Sequence, residues 1–434
     1  MNTPERMHAT TALRGLATGV AWALTFSFVQ NASASEGVRM ATEPIAETGV
    51  QEPQRAPAQG ASSPATLSAS DGLYVEFGRG VSLISEDRDF TVTLRGRIQT
   101  RYTHRYDEDS ETTDSFFAVR RARLALLGDL PSRSLAFYLQ IGLAAGDMET
   151  GHPIPLRDAM VSWTPHRDFH LRAGQMKVPF SRERLISSSA LQLSDRSLVN
   201  AEFSLDRDVG VQVTSQDLFG LGGRLGYALG VFGGAGRNRE GRGPGLLYVA
   251  RMQVQPLGAF TDHLIEADLL RSTRPRLSLG AALGYHSDPR RVRSNQGSFW
   301  QDETRRHALH LATDLFAKWY GFSLQAEYIQ RDMGPTRSFA PPEDDGVGPE
   351  RRDGWGAFVQ SGYVFPSFTE LAGRYTVVRP RHGESSLADV REAALALGQY
   401  FQQHDLKLQA DVARRWEGDG RVTWESRVQL QVFF

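Results

Sequence analysis

From Phe90 to the C-terminus, hydrophobic side chains recur at every second position in segments of about 9 to 16 residues. In the first such segment Val92, Leu94, Ile98, Thr100 and Tyr102 point one way, while Thr93, Arg95, Arg97, Gln99 and Arg101 point the other. The alternation returns in Leu135, Phe137, Leu139, Ile141 and Leu143, in Leu277, Leu279, Ala281, Leu283 and Tyr285, and in Trp424, Ser426, Val428, Leu430, Val432 and Phe434. A helix of period 3.6 does not produce this pattern, so the segments predict β-strands with one apolar and one polar face. Strands are expected at 90–106, 115–128, 134–145, 156–164, 169–177, 208–216, 223–235, 246–256, 276–286, 305–319, 321–332, 354–365, 368–379, 390–403, 405–416 and 421–434, about sixteen in all.

The connections between these segments alternate in length. Those at 107–114, 146–155, 178–207, 236–245, 287–304, 333–353, 380–389 and 417–420 are mostly long and polar, whereas 129–133, 165–168, 320 and 366–367 are tight. Bacterial outer-membrane barrels have short periplasmic turns and longer external loops, so this parity predicts an all-β, transmembrane antiparallel β-barrel with both ends in the periplasm. The stretch 257–275 is too long for a turn and is expected either to be an extended turn or to hide an extra strand pair. Phe117, Trp163, Trp319, Tyr320, Trp355, Phe365, Phe368 and Tyr375 fall near strand ends, where an aromatic girdle meets the membrane interface.

Composition adds the address. Residues 1–34 carry Arg6 and Arg14, an apolar run from Leu16 to Val29 and then Ala32-Ser33-Ala34, the order of a secretory signal peptide with cleavage after Ala34. Residues 35–70 are rich in Ala, Pro, Ser, Glu and Gln and contain no aromatic residue, which predicts a disordered periplasmic leader ahead of a barrel spanning 71–434. A short strand is expected within 71–85. Mean hydropathy of -0.37 does not argue against a membrane barrel, because strands that alternate lipid-facing and lumen-facing residues average to ordinary polarity. There are no cysteines, which excludes a disulfide scaffold and thiolate metal sites. A formal net charge of -1 argues against a nucleic-acid partner or any global polyanion-binding surface.

The candidate chemistry is cationic. Of the 49 cations only Lys177, Lys318 and Lys407 are lysines, and the rest are arginines. Arg95, Arg97, Arg101, Arg121, Arg123 and Arg172 fall on the inward parity of their strands, with Lys177 beside them. The segment from Gly174 to Gly210, the one long stretch in the latter two thirds of the chain that does not read as half of a hairpin, holds Lys177 and adds Arg182, Arg184, Arg196 and Arg207 in its loop 178–207. Guanidinium groups stay charged and present forked donors matched to phosphate and carboxylate oxygens, so such a row attracts small anions. Asp314, Glu327, Glu370, Asp411 and Glu425 are expected on the opposite wall, giving a field across the lumen. The competing reading of the same arginines is that they only solvate the barrel interior and pair with those acids.

Gly174-Gln175-Met176-Lys177-Val178-Pro179-Phe180, Arg182-Glu183-Arg184-Leu185, Asp195-Arg196-Ser197 and Arg207-Asp208-Val209-Gly210, with Arg120-Arg121-Ala122-Arg123-Leu124 upstream, resemble the phosphate-selective porin O and P family. The terminal Phe434 similarly resembles the sorting signal of outer-membrane barrels. The resemblance runs from about residue 90 to the end and is strongest from 115 to 215. It implies a sixteen-stranded homotrimeric porin with an inward-folded third loop and an arginine-lined path for anions. The lysine-rich binding site of the best-known members has no counterpart in a chain with so few lysines.

The expected function is therefore a passive outer-membrane porin conducting small anions, without catalysis, metal or cofactor. Lipid and lipopolysaccharide are the expected surroundings, and Asp288-Pro289-Arg290-Arg291-Val292-Arg293 is either a contact to lipopolysaccharide phosphates or a solvated loop. The acidic run Glu343-Asp344-Asp345 is either a divalent-cation site or a soluble loop tip. Two readings from other classes stand beside the porin: a barrel-type outer-membrane enzyme, for which no convergent Ser/His or Asp/His set is visible, and a structural anchor binding cell wall through residues 35–70.

Overall fold

The structure is a computed structural model that describes residues 72–85, 90–130, 134–149, 152–240, 245–299, 306–334, 352–381 and 385–434. The expected signal peptide, the leader 35–70 and the acidic run 343–345 lie outside the described residues. A short hairpin, β1 (Leu73–Glu76) and β2 (Gly80–Ile84), precedes the barrel. The barrel strands are β3 (Thr91–Asp107), β4 (Thr112–Asp129), β5 (Leu135–Gly142), β6 (Leu156–His166), β7 (Phe169–Lys177), β8 (Arg207–Ser215), β9 (Leu225–Phe232) and β10 (Leu247–Val254). They continue as β11 (Arg276–His286), β12 (Ala308–Trp319), β13 (Phe322–Met333), β14 (Gly354–Val364), β15 (Thr369–Pro380), β16 (Val390–Gln402), β17 (Leu406–Glu417) and β18 (Val422–Phe433).

Each barrel strand pairs antiparallel with the next, and β18 returns to β3 from Thr423↔Asp107 to Phe433↔Arg97. The result is a closed barrel of sixteen strands, in which the outer part of β4, from Thr112 to Arg121, reaches beyond its pairing with β5. β2 pairs with the start of β3, from Val81↔Leu94 to Ile84↔Thr91, just below the point where β18 ends. The short strand expected within 71–85 is thus a two-stranded extension of the closing seam. Strand boundaries differ from those read in the sequence by no more than three residues at either end. The agreement follows from the period-two signal, since a slip of one residue would turn every apolar side chain into the lumen.

Along β11, Leu279, Leu283 and Tyr285 face outward and are exposed, while Ser278, Ala282 and His286 are buried inside. Trp319, Tyr320, Phe365 and Tyr375 belong to the exposed apolar set, as a girdle requires. Buried hydrophobic residues gather within the barrel: Val178, Phe180, Val199, Phe203 and Leu205 of the segment between β7 and β8 pack with Val249, Ala282, Ala312, Ile329, Phe358 and Val378 of the wall. The stretch after β10 contains no strand pair. Instead Phe260, Ile265, Glu266, Ala267 and Asp268 are buried, so this connection turns back into the barrel. Its apolar residues do not alternate, and its acids find cations on the wall, which is why it neither pairs as a strand nor stays in water.

Candidate anion pathway

The third loop begins at a backbone irregularity in β7. Gly174 has φ +124, and a Cβ there would lie 2.1 Å from the Ala159 carbonyl oxygen, so the position accepts only glycine. Beyond it Gln175, Met176 and Lys177 are all buried, and Lys177 Nζ donates to the Leu185 carbonyl at 2.9 Å. Two short helices follow: α1 (Arg182–Leu185), capped by Ser181 Oγ accepting from Arg184 N, and α2 (Leu198–Phe203), capped by Ser197 Oγ accepting from Asn200 N. Glu183 ties them together, accepting Ser197 N at 2.7 Å and Ser197 Oγ at 2.5 Å. The loop is therefore closed on itself by residues of its own motifs.

Its hydrogen bonds then reach most of the wall. Arg182 Nε donates to Asp314 of β12 at 2.5 Å and its other nitrogens to Ser278 Oγ of β11 and the His263 carbonyl. Glu327 of β13 accepts the backbone N–H groups of Arg182 and Glu183, both at 3.0 Å. Gln192 Nε2 donates to Ser323 and Glu370, the Leu191 carbonyl accepts from Lys407 and Gln409, and Ser194 N donates to Asp411. Gln99 of β3 donates to the Ser188 carbonyl and Gln431 of β18 to that of Ser189. A segment bonded to β3, β11, β12, β13, β15, β17 and β18 at once lies across the inside of the barrel.

The structure places the eleven residues singled out in the sequence as follows. Arg101 and Arg121 converge on Asp195 of the loop, joined by Arg120 at 3.4 Å, which β4 brings inward because the β3–β4 register shifts between Gln99 and Thr100. Arg123 pairs with Asp147 at 2.7 Å and reaches Ser188 Oγ, and Arg97 donates to the hydroxyls of Ser187 and Ser188. Arg95 pairs with Asp405 at 2.9 Å. In the loop, Arg184 holds Asp206 at 2.7 Å, Arg196 donates to the carbonyls of Glu183 and Ile186, and Arg207 forks onto Asp158. Arg172 and Lys177 line a cavity described below. Of the acids expected on an opposing wall, Asp314 and Glu327 are anchors of the loop, and Asp411 holds both Ser194 and Arg427.

Sequence reasoning missed Arg120, Asp147, Arg157 and the role of Asp195. Burial pushes the Asp195 carboxyl up, but the fields of Arg121, Arg101 and Arg120 outweigh it and hold the group well below the usual carboxylate range. The signal was present in the Asp-Arg-Ser motif, but only the fold shows which arginines it meets. The basic run at 288–293 also turns inward: Arg291 is buried against the carbonyls of Gly297, Ala235 and Asn295, and Arg293 donates to the Ala201 carbonyl. Arg290 of that run is half-buried and pairs with Asp288 at 3.0 Å.

The inward turn after β10 meets the loop from below. Glu266 N donates to the Ala190 carbonyl, and Glu266 Oε2 accepts Gln192 N at 2.7 Å and Gln360 Nε2 at 2.8 Å. Lys318 Nζ clamps the turn through the carbonyls of Asp262 and Ala267 and the Asp262 carboxylate at 2.7 Å. Loop and turn leave open a cavity of about 830 Å³ along β6 to β10, lined by Arg172, Lys177 and Arg251 among others. A smaller space of about 40 Å³ lies among Arg95, Arg97, Arg123, Tyr138 and Gln140. Tyr138 and Met160 are register partners, so the two spaces adjoin on one side of the barrel.

Closed barrel, outward apolar band and inward basic loop define a porin of the bacterial outer membrane. The profile described as phosphate-selective porin O and P matches residues 92–367, well over half of the 434 residues, and the chain belongs to that family. Among solved structures it is similar to an anion-selective porin from Comamonas acidovorans, with a TM-score of 0.54 and 12% identity over 80% of this chain and 100% of that one. The outer membrane channel DcaP of Acinetobacter baumannii gives 0.52 and 12%, covering 82% of this chain and 100% of that one. OprB of Pseudomonas putida gives 0.51 and 11%, covering 80% and 95%. At these identities the likeness is one of fold. No curated protein matches the chain in sequence.

Proposed function

We propose that this porin conducts small anions passively, along the side of the lumen that the third loop leaves open. The observation that carries the reading is a local excess of positive charge. Among the described residues, Arg101, Arg120 and Arg121 share Asp195, while Arg123 and Arg157 share Asp147, so five guanidiniums meet two carboxylates, besides Arg427, which reaches Asp195 at 4.0 Å but is held by Asp411 and Glu425. Arg97, Arg172 and Lys177 add charge beside the same spaces. Fixed cations behind a low-dielectric wall raise the local anion concentration, and the effect weakens as salt screens it. The remaining loop cations, Arg182, Arg184, Arg196 and Arg207, act by holding the constriction in place more than by meeting the ion.

General anion permeation, with phosphate as one permeant, fits this arrangement better than a tight phosphate site. Purified protein in a planar bilayer under a potassium chloride gradient tests it. Replacing Arg97, Arg123, Arg172 and Lys177 by glutamine moves the reversal potential toward cations, and Asp195→Asn moves it further toward anions. Reversal potentials that ignore both changes would overturn the reading.

Assembly into homotrimers belongs to the same proposal. From Thr112 to Arg121, β4 pairs with β3 alone, and the free edge carries exposed Phe116, Phe117 and Val119. An unpaired apolar edge of this kind is covered in a stable protein, and a second copy of the barrel supplies the cover. A heat-labile oligomer on unheated gels checks it.

A further inference from the structure

The cavity along β6 to β10 is not lined as a site for an inorganic ion would be. Its cationic side is Arg172 and Lys177, both nearly buried in the wall of β7, with Arg167 of the β6–β7 turn also lining it and paired with Asp168 at 2.9 Å. Met160 of β6, Leu185 of the third loop and Leu264 of the inward turn bring apolar surface to the same space. Leu185 and Leu264 remain partly exposed there, on the two elements that fill the rest of the lumen. Of the two acids that line the cavity, Asp158 is taken up by the fork of Arg207 at 2.9 to 3.0 Å and Asp217 accepts Gly223 N at 2.7 Å. Arg251 is likewise engaged, with Asp314 at 2.6 Å and the Phe180 carbonyl at 2.8 Å.

A volume of about 830 Å³ falls in the range of sites that hold whole organic molecules, roughly 300–1,000 Å³. Hydrated phosphate or chloride gains nothing from leucine and methionine side chains, because it has no apolar surface to remove from water. An anion with a hydrocarbon body gains on both counts: a carboxylate matches the guanidinium fork, and its methylenes or ring cover the apolar side.

Resting on the anion-channel reading above, we propose that this cavity is a transient binding site for small organic carboxylates. The carboxylate lies toward Arg172 and Lys177 and the hydrocarbon body against Met160, Leu185 and Leu264. The inward turn 255–275 is then part of the specificity of the channel, since it supplies one wall of the site.

The test is titration calorimetry on the detergent-purified full chain with acetate, butanoate, hexanoate, benzoate and inorganic phosphate. Affinity is expected to rise from acetate to hexanoate by about tenfold or more, and benzoate is expected to exceed phosphate by a similar factor. Leu185→Ser with Leu264→Ser flattens the dependence on chain length, while Arg172→Gln weakens every carboxylate. The chain-length series on the unaltered protein stands even if those variants fail to fold. Equal affinity across the series, or phosphate binding as tightly as hexanoate, would overturn the proposal. The reversal potential separates the two readings: a cation-selective barrel that binds hexanoate sinks the anion-channel reading alone, and an anion-selective one that does not bind it sinks the carboxylate site alone.

Discussion

The loop between β7 and β8 and the turn between β10 and β11 enter the barrel from opposite ends, and against β11 to β13 they are anchored with opposite polarity. The loop brings its cation to wall acids: Arg182 lies on Asp314, and Glu327 accepts the first N–H groups of α1. The turn brings acids and carbonyls to wall cations, with Asp262 on Lys318 and Arg276, and Asp268 on Arg276. The two meet where Ala190 and Gln192 join Glu266. Charged residues deep in a barrel thus have two distinct uses. One set fastens the constriction, and a second, in excess of its acids near β3 to β7, is the set that acts on the permeant ion in the proposed function.

Breaking the loop's anchor should have the largest effect. Arg182 is wholly buried, and Arg182→Ala removes three side-chain bonds while leaving Asp314 with Arg251 alone. Removing one partner of a buried pair costs about 3 to 5 kcal/mol, and the surviving Arg251 contact places this case at the lower end. The measurable outcome is a lower temperature at which the folded, unheated band disappears, together with larger and noisier single-channel currents. Currents and melting equal to those of the parent would show that Asp314 and Arg182 do not fix the loop.

Releasing the turn should cost less. Lys318→Ala leaves Asp262 still paired with Arg276 at 2.6 Å and its carbonyl still accepting Ile265 N, but strips the Ala267 carbonyl of its donor. Hydrogen bonds to a charged group contribute about 1.5 to 3 kcal/mol, so destabilisation of that order is expected. Because the turn forms one wall of the cavity and the loop keeps its own anchors, conductance should change more than melting. The reverse ranking, with Lys318→Ala more damaging than Arg182→Ala, would mean that the turn supports the loop and not the other way round.

The wall was legible in the sequence because a strand fixes two faces by parity, so Arg97, Arg101, Arg121 and Arg123 could be placed inward from spacing alone. The loop was legible through its motifs. What parity cannot supply is where a non-repeating segment goes. Asp195 lies 94 residues from Arg101 and 74 from Arg121, and nothing in their local patterns joins them. The same holds for the turn: Phe260, Ile265 and Leu269 follow neither period, and the Asp262–Lys318 contact that draws them inward spans 56 residues. Register gave the wall, and long-range charge complementarity decided the filling.

The smallest and most discriminating change is at the junction itself. Burial, reinforced by Glu183, pushes the Glu266 carboxyl up to about 7. A carboxyl whose folded value is raised favours the protonated form, so its contribution is fully present below its ordinary value of 4.5 and is lost as pH rises through about 7. The parent protein should therefore lose stability between pH 5 and pH 8 at this site (about 1.4 kcal/mol per unit of displacement at most, and on the order of 1 kcal/mol in total once water inside the lumen is allowed for). Glu266→Gln keeps an oxygen that can accept from Gln192 N and Gln360 Nε2 and cannot ionise, so its melting should be flat over that window. If parent and variant show the same slope between pH 5 and pH 8, ionisation of Glu266 does not couple the two inward segments, and their meeting is a matter of packing by Ile186, Ala190, Leu191 and Ile265.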